Sequence, residues 1–403
     1  MADTSIVADR LNRILPSQTT AMRKRALALK AEGRDVLAIS SGEPDFDTPE
    51  HIKDAAIAAI RDNQTRYTDT SGTLALRRAV AAKFRRDNGL DYAPEEIIVA
   101  TGGKQVIYDA LIATINPGDE VIIPAPCWVS YPDIVGLAEG VPVLLPCGPN
   151  QGFKLLPEQL EAAITPRTKW LVVNTPSNPT GATYSATELK ALAEVLLRHP
   201  EVHVFTDDIY EKLLFDGRVF ATFAQVEPRL RERTVTMNGC SKAYAMTGWR
   251  IGFGAAPRHI IQAMDKLQAQ STSNTCSIAQ AAAVAALDGP QDATETMRRA
   301  YEVRRGRVVA TLNATPGLRC HLPEGAFYAF PDMTQHLGRT TPGGATIASD
   351  LDFVFALLSE AGVATVHGSA FMFPGHFRIS FAAADDLLDE ACRRIRQFCE
   401  ALH

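Results

Sequence analysis

A chain of 403 residues with 46% hydrophobic and 22% charged residues has ordinary globular composition and can bury a large core without staples. Its formal net charge of −5 supplies no basic field for nucleic acid, and no run of like charge suggests a tail. Seven scattered cysteines, odd in number and without a Cys-x-x-Cys pair, argue against a disulfide framework or a zinc ribbon and suit a reducing compartment.

The first residues alternate acids and bases and lack the apolar stretch of a signal peptide. No apolar run reaches the length of a membrane span, so the expectation is a cytoplasmic protein with no membrane partner. Residues 18–33 read as a helix stopped at Gly33. A short apolar run at 36–39 leads into the loop Ser41-Gly42-Glu43-Pro44-Asp45. Residues 50–62 and 73–87 have amphipathic helical spacing. From residue 95 short apolar strands alternate with helices. Strands are expected at 97–100, 121–123, 141–145, 170–173, 202–206, 234–237 and 250–255, and helices at 104–115 and 186–198. Buried parallel strands separated by helices imply an α/β sheet covered on both faces. Beyond about residue 290 the period is mostly helical, with strand-like stretches at 326–331, 363–366 and 377–380. The expected division is a large domain over 46–289, with 1–45 and 290–403 forming an N-terminal arm and a smaller α+β domain.

There is no Walker loop, no His-Glu-x-x-His and no Gly-x-Ser-x-Gly. The nearest dinucleotide fingerprint, Gly252-Phe253-Gly254, fails because Pro257 stands where its last glycine belongs, so it reads as a strand end opening a helix. Four clusters sit where strands meet loops, the ligand edge of an open α/β sheet. Thr101-Gly102-Gly103-Lys104 opens a helix; by itself it is as readily a tight turn as an anion site. Asn174-Thr175-Pro176-Ser177-Asn178-Pro179-Thr180-Gly181 has two prolines and a glycine that would fix the backbone and aim the Asn178 amide, or serve only as a structural turn. Asp207-Asp208-Ile209-Tyr210 puts carboxylates at a buried strand end, which is costly unless a cation or donors meet them. Asp208 is expected to cap a following helix while Asp207 faces the site. Lys242, between small residues in Gly239-Cys240-Ser241-Lys242-Ala243, is followed eight residues later by Arg250. Partial burial and that neighbouring cation would depress its pKa, as imine chemistry requires.

Taken together these segments resemble the class I pyridoxal-phosphate (PLP) aminotransferases, from about residue 10 to 400. The lysine cluster fills the family's spacing through Arg250 and Gly252. Ser-Asn-Pro-Thr-Gly, Asp-x-x-Tyr, Ser-Gly-Glu-Pro-Asp and Phe377-Arg378-Ile379-Ser380 follow in family order. The resemblance is strongest to the bacterial aspartate and aspartate/prephenate types. It implies the fold type I transferase architecture and a homodimer with shared sites. It also implies roles. Lys242 would carry PLP as a Schiff base and act as the proton-moving base. Asp207 would pair with the pyridine N–H, Asn178 and Tyr210 would bind the ring oxygen, and Trp128 would stack on the ring. Gly102, Gly103, Lys104, Ser241 and Arg250 would hold the phosphate, with Tyr67 reaching in from the neighbouring subunit. Gly42 and Arg378 would bind the substrate carboxylate together with Trp128 and Asn178. No metal is implied. Some relatives have a serine at the position of Gly239, and close relatives have a lysine at the position of Leu15. Thr73 and Lys104 match positions associated with dicarboxylate recognition. The expected reaction is amino transfer from L-aspartate to 2-oxoglutarate. The alternatives are a preference for aromatic or less charged amino acids, and a PLP-dependent lyase. A regulator built on this fold would need a DNA-binding domain ahead of residue 40, for which the sequence leaves no room.

Overall fold

A computed structural model describes residues 6–16 and 18–403, excluding the side chains of residues 18–20 and 23. Ser17 lies outside the described residues.

In chain order the strands are β1 (Leu37–Ala38), β2 (Ile97–Thr101), β3 (Glu120–Ala125), β4 (Val141–Pro146), β5 (Thr168–Asn174), β6 (His203–Asp207), β7 (Thr234–Gly239), β8 (Ile251–Ala255), β9 (Tyr328–Ala329), β10 (Val363–Ala364), β11 (Val366–His367) and β12 (Phe377–Ser380). Strands β2 to β8 form one seven-stranded sheet in the order β2-β8-β7-β6-β5-β3-β4. All neighbours are parallel except β8, which runs antiparallel to both β2 and β7. The mostly parallel sheet is as expected, and the apolar run at 250–255 supplies the one strand that does not run parallel. The link from β7 forms only the short turn Thr247–Trp249 and reverses at Arg250, whose φ is 58°. Without a crossover helix the next strand returns antiparallel.

Side chains of a strand point alternately to opposite faces, and the sequence uses both. Ile98, Ala100, Trp170, Val172 and Phe205 pack under helices Gly103–Thr114, Ser130–Leu137 and Arg258–Ala269. Ile97, Val99 and Phe253 face helices Glu50–Arg61, Leu74–Asn88 and Ser277–Asp288, while Leu171, Val173 and Val204 face Ala186–Arg198. The sheet is therefore covered on both faces, as the apolar strands predict. Truncating one such side chain, Phe253 to alanine, would cost about 3–5 kcal/mol.

A separate apolar cluster draws on residues 22–39 and 297–402, with Tyr210, Leu213 and Phe215 from the central segment. Here β1 pairs in parallel with β10 (Leu37 opposite Val363), which ties the N-terminal segment to the C-terminal region. The order β11-β12-β9 makes a small antiparallel sheet that carries Arg378. The predicted strand at 363–366 is split into β10 and β11 at Thr365. No helix among the described residues is long and apolar enough to cross a membrane.

The topology delivers chemistry to one edge. The carboxyl ends of β2, β5, β6 and β7 carry Gly102, Asn174, Asp207 and the segment leading to Lys242.

Candidate active site

A cavity of about 560 Å³ opens at that edge. It is lined by Gly42, Gly103, Lys104, Trp128, Asn178, Asp207, Tyr210, Ser241, Lys242, Arg250 and Arg378. Nearly all residues singled out in the sequence thus meet in one place. Tyr67 does not: its side chain is 93% exposed on the surface, away from the cavity lining.

Asp207 ends β6 and is buried. The Tyr131 hydroxyl donates to its Oδ2 at 2.6 Å, and the Ile209 N–H to its Oδ1 at 3.2 Å. Burial pushes this carboxyl up to about 6, against those two bonds and the Lys242 charge. A buried acceptor of this kind pairs best with a cationic N–H. Lys242 is half-buried, and its ammonium donates to the Gly42 carbonyl at 2.5 Å. Burial lowers the ammonium to about 8; Arg378 and Arg250 act in the same direction, and Glu43 and Asp207 oppose. It is therefore an amine that can lose its proton near neutrality, as a nucleophilic lysine must.

The glycines beside it are required. Gly102 has φ +87°, and a Cβ there would lie 2.3 Å from the Arg250 guanidinium. A Cβ on Gly252 would lie 2.3 Å from the Gly103 nitrogen. The helix Gly103–Thr114 begins here, so its free N–H groups, Arg250 and the buried Ser241 form a cradle for an anion. At Gly239 a Cβ would meet the Ile251 carbonyl at 2.9 Å, so a serine at this position would require the neighbouring backbone to shift. Lys104 lines the wall with its ammonium 4.8 Å from the Trp128 ring centroid, and Trp128 meets Tyr131 edge-on at 5.3 Å.

Arg378 is 3% exposed. It donates to Asn178 Oδ1 at 2.9 Å and to the Ser40 carbonyl at 2.6 Å. Tyr328 and Phe371 flank its guanidinium at 4.5 and 5.0 Å from their ring centroids. Among the described residues no carboxylate pairs with it and its Nε has no partner, so burial lowers its pKa. A buried cation without an anion is a receptor for one. The Tyr210 hydroxyl meets that of Tyr328 at 2.8 Å.

One expectation changes, and two residues lie off this chain's cavity. No helix follows β6 directly, so Asp208 caps none. It accepts the Thr206 hydroxyl at 2.5 Å instead, and burial pushes it up to about 8. Thr73 caps helix Leu74–Asn88 through the Leu76 N–H at 3.3 Å and does not line the cavity. Leu15 is 69% exposed, also off the cavity lining. Sequence reasoning missed Tyr131 and Tyr328. Tyr131 had one local signal, its place three residues after Trp128; Tyr328 had only its place in a strand-like run. No group of three or more metal-binding side chains occurs among the described residues.

An imine-competent lysine, a buried carboxylate and a glycine–arginine anion cradle in one cavity define a lysine-anchored PLP enzyme on an α/β scaffold. The residues present fit that group: the cradle would suit its phosphate, the carboxylate its ring nitrogen and the lysine its aldehyde carbon. Sequence comparison agrees. The family described as aminotransferase class I and II matches residues 34–395. The chain is 56% identical over 398 residues to a protein of Cereibacter sphaeroides (strain ATCC 17029 / ATH 2.4.9) named aspartate/prephenate aminotransferase, covering 99% of this chain and 100% of that one. It is 52% identical to an aspartate aminotransferase of Rhizobium meliloti (strain 1021), covering 98% and 96%. Among solved structures, an aspartate aminotransferase from Rhizobium meliloti superposes with a TM-score of 0.96 at 51% identity, covering 98% of this chain and 99% of that one. The Thermus thermophilus aspartate aminotransferase with maleate gives 0.91 at 42%, covering 97% and 99%. This chain belongs to the class I and II aminotransferases. It is a PLP-dependent enzyme that moves an amino group between an amino acid and a 2-oxo acid.

Proposed function

We propose that the enzyme transfers the amino group of L-aspartate to 2-oxoglutarate, using one cavity for both half-reactions. The observation that carries this reading is Arg378, a buried guanidinium with no carboxylate partner among the described residues, at the same cavity as Lys242. A substrate α-carboxylate completes its fork, and Lys104 offers a second cation to a dicarboxylate. The relatives named aspartate/prephenate and aspartate aminotransferase support the same donor.

The cofactor, when bound, supplies the electron sink for the Cα carbanion. Lys242 would hold it covalently and, once displaced by the incoming amino group, would be the base that takes the proton from the substrate Cα. Asp207, held by Tyr131, keeps the ring nitrogen protonated. Asn178 spends its Oδ1 on Arg378, which leaves its amide N–H groups for the ring oxygen beside Tyr210. Trp128 covers the ring face, and Gly102, Gly103, Lys104, Ser241 and Arg250 take the phosphate. Gly42, whose carbonyl now holds the Lys242 ammonium, sits at the substrate carboxylate.

The active unit in this reading is a homodimer in which Tyr67 reaches the partner's phosphate cradle. Its exposure, and that of Ile57, Ile60 and Leu74 in the flanking sequence, supports that role. The division into 46–289 and 1–45 with 290–403 is supported by the separate apolar clusters. Seven unpaired cysteines, six of them buried, support a cytoplasmic location.

The test is a steady-state screen of aspartate, glutamate and phenylalanine as donors against 2-oxoglutarate, oxaloacetate and prephenate as acceptors. The aspartate/2-oxoglutarate pair should give the highest kcat/KM, with prephenate weak. A higher kcat/KM for phenylalanine, or strong prephenate turnover, would move the assignment to the aromatic reading.

A further inference from the structure

We infer that Lys83 is a positioning residue for the reaction: with Asn88 it clamps Glu211, and so fixes the turn that presents Asp207 and Tyr210 to the cofactor. The inference rests on the roles proposed above for those two residues.

Lys83 lies in helix Leu74–Asn88 and is 2% exposed. Its ammonium forms an ion pair with Glu211 and donates to Asn88 Oδ1 at 2.7 Å. The Asn88 amide in turn donates to Glu211 Oε2 at 3.0 Å. Lysine, asparagine and glutamate thus close a buried triangle with all three side chains bonded to one another. The next residue of the turn is pegged to the same helix, because Lys212 meets Asp87 at 2.8 Å. Neither Lys83 nor Glu211 lines the cavity, so any effect on the reaction passes through the turn.

That turn needs an external hold. Residues 208–212 are not helical, and their backbone bonds are few. The Glu211 N–H reaches the Asp208 carbonyl at 2.9 Å, and the Leu213 N–H reaches the Tyr210 carbonyl at 2.8 Å. At its start, Asp208 N–H is tied to the Met237 carbonyl of β7 at 2.9 Å. Asp207 is anchored by the sheet, and the chain beyond the turn by the Leu213 carbonyl accepting from Ala326 N–H at 2.8 Å and by the bridge from Leu214 to Gly325; between those anchors Glu211, with Lys212, is what ties the turn to helix Leu74–Asn88. Tyr210, adjacent to Glu211, must place its hydroxyl against a ring whose nitrogen is held by Asp207. A shift of the turn would alter both contacts at once.

Stability alone is a poor reason for this arrangement. Two buried charges pay a desolvation cost that well-packed apolar side chains of similar volume avoid. A defined conformation is what the charged triangle adds, since an ion pair with a shared amide partner admits one geometry where a greasy contact admits several.

The experiment compares Lys83→Met, Glu211→Gln and the double variant with the parent, each as the PLP-loaded and PLP-free protein. Four quantities are read: the PLP dissociation constant, the pH at which the bound cofactor's visible absorbance changes, kcat against KM for aspartate, and melting of the PLP-free protein. Each single variant should raise the PLP dissociation constant and lower kcat, both roughly tenfold, leave KM within about threefold, and displace the absorbance transition. The double variant removes both charges while the new amide can still bond Asn88. It should return PLP affinity and kcat to within about threefold of the parent. If the single variants melt lower but keep parental PLP affinity, absorbance transition and kcat, the triangle is only structural and the inference fails. It fails too if the double variant is no better than either single one. Should Lys83→Met not fold, Glu211→Gln alone decides, because it removes a charge and almost no volume. A parent chain that bound no PLP would sink the reading of the site itself, before any variant is compared.

Discussion

Replacing Arg378 by lysine should separate carboxylate recognition from the rest of the chemistry. The guanidinium already gives one N–H to Asn178 and one to Ser40, and its Nε is unpartnered. It can therefore still present a two-point fork to a carboxylate. Each charge-assisted bond in such a fork is worth about 1.5–3 kcal/mol. Lysine keeps the charge but, as a compact ammonium, retains one of the two bonds at most. The loss is then about 1.5–3 kcal/mol, or roughly 10- to 150-fold in kcat/KM. Arg378→Ala removes both bonds and should cost roughly 10²- to 10⁴-fold. The assay is the aspartate half-reaction followed by the cofactor's absorbance under single-turnover conditions, beside a primary amine that lacks a carboxylate. The amine should react equally slowly with parent and variant. Parental kcat/KM for aspartate in Arg378→Lys, or an equal loss for the amine, would refute the assignment of Arg378 to the carboxylate.

Lys242→Ala should retain PLP only non-covalently: borohydride reduction followed by mass measurement should add nothing to the chain, and turnover should be lost. A covalent adduct and normal turnover would contradict the imine assignment. Tyr131→Phe removes the hydroxyl that holds the Asp207 carboxyl down, so its pKa should rise above about 6. Asp207 loses its charge as pH falls through its pKa, so PLP affinity should fade at higher pH than in the parent. The window is pH 5–8, read by fluorescence titration, and an unshifted profile argues against the bond. Hybrid dimers of Lys242→Ala and Tyr67→Ala subunits should regain part of the activity, because one of their two sites is intact. Confirmed subunit exchange without recovery would count against Tyr67 acting across the interface. Leu15→Lys should raise kcat/KM for dicarboxylates by roughly 1–3 kcal/mol of binding if the added ammonium reaches the second carboxylate. An unchanged donor profile would show that position 15 does not set specificity.

Much of the site was legible because its chemistry is local in sequence. The Gly102-Gly103 turn, the Asn178 loop, the Asp207 strand end and the Lys242 segment each combine residue types that need one another within a few positions. The central strands were legible for a related reason: runs such as 97–100 and 170–173 are apolar on both faces, which only a doubly covered sheet tolerates. What escaped was contact at a distance. Tyr131 reaches Asp207 across 76 positions, and Tyr328 reaches Tyr210 across 118. Neither tyrosine carries a signature that distinguishes it from a core aromatic. The helix Ser277–Asp288 went unread because its run of alanines has little amphipathic contrast. The reversal at Arg250 was hidden because a left-handed arginine gives no sign of itself in sequence.

The most direct test of the central claim is a single turnover of the purified PLP-loaded enzyme with L-aspartate and no acceptor. Amino transfer predicts conversion of the bound cofactor to its pyridoxamine form with one oxaloacetate released per site, and 2-oxoglutarate should then restore the starting spectrum and yield glutamate. Release of ammonia with an unchanged cofactor spectrum would contradict the account and place the chain among the lyases.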